Sequence, residues 1–221
     1  MKLTLPKHIK AAVFDLDGTL IISSHIWGEI DKMFLAKRGL EVPDDYVKEI
    51  ACLNFREGAD YTISRFGLDE DPDDIIAEWF GMARYEYAHN IRMKEGAEKF
   101  LRGLKAKGFR IALATASNPA LYIPVLENNG VMDCFDAFAS TEEVCRSKLF
   151  PDVYIFAAGK LGVSVRDCVV FEDQLQCIES AKSAGFLVCG CLDDYRAADH
   201  SCIKDAADIC FESYDEFDLS L

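Results

Sequence analysis

The stretch AAVFDLDGTLIISS, Ala11 to Ser24, poses the question on which the fold turns. Four apolar residues, Ala11 to Phe14, lead into two aspartates, Asp15 and Asp17, one residue apart, and Gly18-Thr19 follows at once. A near-continuous apolar run of strand length suits a parallel strand buried on both faces. Such a strand does not end in two adjacent like charges unless something stabilises them.

The same kind of run recurs. KAAVFD (10–15) is followed by FRIALA (109–114), DAFAS (136–140), CVVFE (168–172) and FLVCG (186–190). Helical patterns lie between them. GAEKFLRGLKAKG sets Phe100, Leu101 and Leu104 at helical spacing and stops at Gly108, PDVYIFAAGKLG runs from Pro151 to Gly162, and LQCIESAKSAG spans 175–185. Alternation of strand and helix predicts an α/β layered fold with right-handed crossovers and a Rossmann-like parallel sheet. Residues 21–92 break the pattern: four amphipathic helical stretches and no buried strand, hence a helical insertion between the first and second strands.

In an open parallel sheet, ligands gather beyond the carboxyl ends of the strands. After the first strand come Asp15, Asp17, Gly18 and Thr19; after the second, Thr115, Ala116, Ser117 and Asn118. Lys148 precedes a helix start, and Glu172-Asp173 closes CVVF. Clustered carboxylates call for a cation, and hard oxygen ligands describe Mg²⁺ better than zinc or copper. Thr115 and Ser117 stand where a helix begins, with free N–H groups suited to phosphate, and Lys148 adds a point charge. Those parts let one anion attack another, and an aspartate is an accepted phosphoryl acceptor.

Composition narrows the partners. The chain has 221 residues, enough for one domain with a modest insertion. Its net charge of −14, with no basic cluster to offset it, argues against nucleic acid and anionic membranes. No apolar run approaches a membrane span, and four apolar residues after the basic N-terminus are too few for a signal-peptide core, so a cytoplasmic location is expected. The nine cysteines are odd in number and lack a Cys-x-x-Cys, which reads as reduced core thiols. Cys189-x-Cys191 with His200 and Cys202 could suggest zinc, but the spacing is not that of a structural knuckle. Trp27, Trp79, Tyr85 and Tyr87 read as core of the helical insertion.

DLDGT, ATAS, SKLFPD and FED, in that order and spacing, resemble the four motifs of the haloacid dehalogenase-like (HAD) hydrolase superfamily, in its phosphatase and β-phosphoglucomutase-like branch. The resemblance covers about residues 8–20 and 93–212. It implies an α/β core of residues 1–20 and 93–221 and an inserted α-helical cap of residues 21–92. It further implies a Mg²⁺-dependent phosphatase acting on a small phosphorylated metabolite, and nothing in the sequence demands more than a monomer. Asp15 would be the nucleophile that becomes an aspartyl-phosphate, and Asp17 the general acid–base. Thr115, Ala116 and Ser117 would bind the phosphoryl group and Lys148 would bridge it to the nucleophile. The metal would be held by Asp15, the Asp17 carbonyl, Asp173 and Glu172, the last as ligand or as support. Among cap residues Arg56, in LNFREG, is the first candidate for reading substrate, set against the commoner outcome of a surface arginine. The sequence departs from the family at Leu149 (commonly Pro), at Gln174 and Cys177 (commonly Ser and Gly), and in KEGA (94–97, commonly Pro-Gly-Ala).

Three other readings compete. A sugar phosphomutase of the β-phosphoglucomutase kind would carry a cap histidine twelve residues after the nucleophile, where this chain has Trp27, with His25 two positions away on another helix face. A dehalogenase does not keep the second aspartate, and Asp17 is present. A catalytically degenerate binding module would have lost its nucleophile or acid–base, and both are here.

Overall fold

The computed structural model describes residues 2–50 and 53–218. Six strands, β1 (Ala11–Phe14), β2 (Arg110–Thr115), β3 (Ala137–Ser140), β4 (Cys168–Glu172), β5 (Leu187–Cys191) and β6 (Ile209–Phe211), form one sheet in the order β3-β2-β1-β4-β5-β6, every pair parallel. β1 sits centrally, paired with β2 on one side and β4 on the other, where the winding reverses. That reversal opens a crevice at the strands' carboxyl ends.

Period-two alternation divides the strand side chains between two cores. Ala12 and Phe14 of β1, with Val169 and Phe171 of β4, pack on one face against α5 (Ala97–Ala106), which buries Phe100, Leu101 and Leu104. The Phe14 and Phe171 rings stack with centroids 4.4 Å apart. Ala11, Val13 and Val170 face the other side, against α8 (Asp152–Leu161) and α9 (Leu175–Ser183). Both faces are covered, which is why these strands read as unbroken apolar runs.

Four helices occupy residues 24–89: α1 (Ser24–Ala36), α2 (Tyr46–Ile50), α3 (Phe55–Phe66) and α4 (Pro72–His89). α3 opens on a capping box between Asn54 and Glu57 and ends at Gly67, whose φ of 64° is left-handed. α4 opens on Asp71, which caps Asp73, with Pro72 in the first turn. Phe34, Ala59, Ile75 and Trp79 from these helices belong to the same apolar cluster as Phe14 and Phe171, so sheet face and helical segment share one core. The PDDYVKEIACL pattern is helical over α2, and its residues 51–52 lie outside the described residues.

The sheet exceeds the expected five strands by one. β6 is three residues long and only Phe211 is buried, so its sequence carries no apolar run of strand length. Among the described residues no helix is long and apolar enough to cross a membrane.

Candidate active site

The turn after β1 explains how the two aspartates coexist. The Asp15 N–H still donates to the Phe171 carbonyl at 3.0 Å, so Asp15 is held on β4 at the winding reversal. The chain then turns sharply at Gly18, where φ is 84°. A Cβ there would lie 2.5 Å from Asp173 Oδ2 and 2.8 Å from Ser24 Oγ, so only glycine fits on both counts. Asp15 and Asp17 consequently face different surroundings.

Asp15 belongs to a buried charge cluster. Lys148 Nζ donates to Asp15 Oδ1 and, at 2.7 Å, to Glu172 Oε1. The Tyr154 hydroxyl of α8 also donates to Glu172 Oε1, at 2.7 Å, and the Asp173 and Gln174 N–H groups donate to Oε2. Asp173 accepts from the Thr19 hydroxyl at 3.2 Å and from Arg196 Nε at 2.9 Å. One atom is left over: Asp15 Oδ2 is buried and has no hydrogen-bond partner among the described residues. Burial raises the Asp15 carboxyl well above its usual range; Lys148 opposes this, and Glu172, Asp173 and Asp17 reinforce it. Burial works against the Lys148 ammonium, yet Asp15 and Glu172 outweigh it and lift its pKa. Burial likewise raises Asp173, to about 6, against the pull of Arg196.

Asp15, Glu172 and Asp173 each bring a carboxylate oxygen within 4.8 Å of the others, and among the described residues no other three His, Cys, Asp or Glu side chains group this way. Hard oxygens around an orphaned, buried carboxylate oxygen fit a divalent cation such as Mg²⁺, which would reverse the electrostatics that raise Asp15. Glu172 already serves Lys148, Tyr154 and two backbone N–H groups, so its part is to seat the lysine as much as to face an ion. Cys189 and Cys191 are buried, Cys202 is exposed and His200 Nε2 bonds the Asp193 carbonyl, so these four do not assemble as a zinc site.

Asp17 sits in a hydroxyl network instead. Its Oδ1 accepts from Ser23 Oγ at 2.7 Å and from the Tyr87 hydroxyl of α4; its Oδ2 accepts from Ser117 Oγ at 2.7 Å. Trp27 Nε1, on α1, donates to the Tyr87 oxygen at 2.7 Å. Ser117 follows β2 just ahead of α6 (Pro119–Asn128), and its N–H is taken by Thr115 Oγ1 at 2.9 Å. The helical segment thus grips the second aspartate through Tyr87. A phenol 70 residues away on an amphipathic helix has the signature of a core residue, which is how its sequence reads, and nothing local marks it as a contact.

A cavity of about 140 Å³ joins these groups, floored by Asp15, Asp17, Ala116, Ser117 and Lys148 and walled by α1, α3 and α4. Thr115, though buried, does not line it and acts through Ser117. Arg56 does not reach it: the side chain is exposed and paired with Asp73 at 2.8 Å and Asp60 at 3.6 Å, because its position on α3 faces outward. Trp79 and Tyr87 are buried in the core and Trp27 packs against it, as their sequence reads, while Trp27 and Trp79 also line the cavity and Tyr87 also holds Asp17. Tyr85 departs from the reading, being exposed on the outer face of α4. Arg196, also on the wall, comes from the segment that follows β5. Reading the residues after the fifth strand, Asp193-Asp194-Tyr195-Arg196, by the rule applied to the others would have found it.

A model of the haloacid dehalogenase-like hydrolases matches residues 9–185, and the chain belongs to this family. It is 30% identical to hexitol phosphatase B of Escherichia coli K12 over 194 residues, covering 82% of this chain and 83% of that protein. It is 28% identical over 186 residues to the bifunctional riboflavin kinase/FMN phosphatase of Arabidopsis thaliana, 84% of this chain but only 49% of that longer protein. In structure it resembles β-phosphoglucomutase from Clostridium difficile, with a TM-score of 0.81 at 20% identity over 95% of this chain and 93% of that one, a likeness of fold.

Proposed function

We propose that this hydrolase is a Mg²⁺-dependent phosphatase that cleaves a small phosphomonoester through an aspartyl-phosphate on Asp15. The observation that carries the reading is the asymmetric Asp15 carboxylate: Oδ1 is fixed by Lys148 while Oδ2 has no partner. A nucleophile held by one oxygen and unengaged at the other is poised for attack on phosphorus.

In the proposed reaction an Asp15 oxygen displaces the ester oxygen. Asp17, whose carboxyl lies on the same cavity floor, gives that oxygen a proton. It then takes a proton from the water that hydrolyses the acyl phosphate. Lys148 offsets charge on the phosphoryl group, and Thr115, Ala116 and Ser117 shape the loop beneath it. A divalent cation bound by Asp15, Glu172 and Asp173, with the Asp17 carbonyl as a further candidate, would neutralise phosphoryl charge. The proposal includes a core of residues 1–20 and 93–221, a cap of residues 21–92, and a cytoplasmic monomer; buried thiols such as Cys134, Cys168 and Cys189 suit a reducing compartment.

The mutase reading is weaker. Position 27 holds a tryptophan whose N–H is spent on Tyr87, in place of a histidine that could hold back water and serve a sugar. The test is phosphate release from a panel of phosphorylated metabolites with Mg²⁺. Release is expected, and Asp15→Asn should lower it by at least about a thousandfold without unfolding the chain. Substantial turnover by Asp15→Asn would remove Asp15 as nucleophile, and isomer interconversion without phosphate release would favour the mutase.

A further inference from the structure

Ser24, Trp27 and Asp31 stand at i, i+3 and i+7 on α1 and all line the cavity. At 1.5 Å per residue, Asp31 is roughly 10 Å along the helix from Ser24, away from the reacting groups. Asp31 is 7% exposed, yet among the described residues no hydrogen bond or ion pair satisfies it, and burial alone lifts its carboxyl to about 7. The other buried acids, Asp15, Glu172, Asp173 and Asp193, all have donors. Nearby Tyr46 gives no help, since its hydroxyl is bonded to Thr62 at 2.8 Å.

A second polar group is unmet in the same wall: the Trp79 indole N–H is buried without an acceptor among the described residues. The lining beyond the floor includes the aromatic and aliphatic Trp27, Phe55, Val47, Ile50 and Leu53, with Asn54, Tyr195 and Arg196 among its polar members. Folding alone gives no reason to keep an unpaired carboxyl there, because an isostere without charge would be more stable. A ligand that supplies the missing donor does give one.

We propose that Asp31 reads the alcohol end of the substrate, and that the substrate is the phosphate ester of an alcohol carrying a flat heteroaromatic ring whose N–H bonds the Asp31 carboxyl. The inference rests on the site being the phosphatase site proposed above. Aromatic walls stack a flat ring, and one ring N–H matches one carboxyl. A polyol offers Trp27 and Trp79 no flat face to stack on.

The chain's only two tryptophans, Trp27 and Trp79, both line the cavity, so ligand binding can be read from tryptophan emission independently of turnover. Asp15→Asn protein, with and without Asp31→Leu, is titrated with uridine 5′-monophosphate, pyridoxine 5′-phosphate, benzyl phosphate and sorbitol 6-phosphate. At least one of the two ring N–H esters should bind about tenfold tighter than benzyl phosphate and sorbitol 6-phosphate. Asp31→Leu should erase that advantage and leave benzyl phosphate within about twofold, with a melting temperature no lower than its parent's. Preference for sorbitol 6-phosphate, or an Asp31→Leu effect that is absent or equal on all four ligands, would overturn the proposal. If the binding pattern holds while the unsubstituted chain releases no phosphate from any ester, the phosphatase reading fails and the recognition role of Asp31 stands. Phosphate release without any Asp31 dependence fails this inference alone.

Discussion

The two ends of the cavity are built on opposite terms. At the sheet edge, Lys148, Tyr154, Thr19, Arg196 and backbone N–H groups occupy every oxygen of Asp15, Glu172 and Asp173 except Asp15 Oδ2. In the helical segment, Asp31 and the Trp79 N–H stand in a largely apolar wall with no partner among the described residues. Dense mutual satisfaction suits chemistry on a group that every substrate shares, because reacting atoms must be held without reorganisation. Unmet groups in an apolar setting suit selection among substrates, since each is worth most when one particular ligand answers it.

Lys148→Met attacks the satisfied end and should have the largest effect. It leaves Asp15 and Glu172 buried without their cation, at a cost of about 3–5 kcal/mol in denaturant unfolding of the ion-free protein. Saturating Mg²⁺ should restore part of that loss; a lysine that can be removed without cost would mean the cluster is not ionised as described.

Asp31→Asn probes the unsatisfied end and should act in the opposite direction. The folded-state pKa of about 7 lies above the ordinary 3.8, so between about pH 4 and 7 the unfolded chain releases a proton that the folded chain keeps. Stability of the parent therefore falls as pH rises through that window and is level above it. The variant lacks this loss, so it should match its parent near pH 4 and exceed it at pH 8, by at most about 4 kcal/mol. Thermal unfolding from pH 4 to 8 reads the difference, and a constant offset at all pH values would contradict it.

Tyr87→Phe tests the link between the two ends, because Tyr87 stands on α4 and holds Asp17. The expected result is a fall in kcat of about tenfold with little change in KM, the mark of a group that positions the acid–base rather than binding substrate. Smallest of all, Arg56→Ala should change activity less than about twofold and stability by no more than about 0.5 kcal/mol. Its ion pairs are solvent-exposed and lie outside the cavity.

Legibility in the sequence follows the same division. Five strands showed as apolar runs because both sheet faces are buried, and β6 did not because an edge strand of three residues needs none. Asp15, Lys148, Glu172 and Asp173 could be collected by reading the strand ends in turn, since backbone topology alone carries those positions to one edge. Arg196 lies under the same rule, one strand further on. Arg56 is the surface arginine of the commoner reading, and the sequence could not separate that from a substrate role because an arginine on an amphipathic helix carries no mark of which way it faces.

Residue pattern by itself determined the layered sheet, the helical insertion and the acids at the strand ends, because those follow from periodicity and chain direction. Only the tertiary structure decided that Tyr87 grips Asp17, and that among the described residues Asp15 keeps one oxygen unengaged and Asp31, one of 38 acids in the chain, is buried without a partner. Those are facts of packing between segments far apart in the chain. Desolvation, which turns an ordinary aspartate into a group that needs a ligand, exists only once the helices have closed around it.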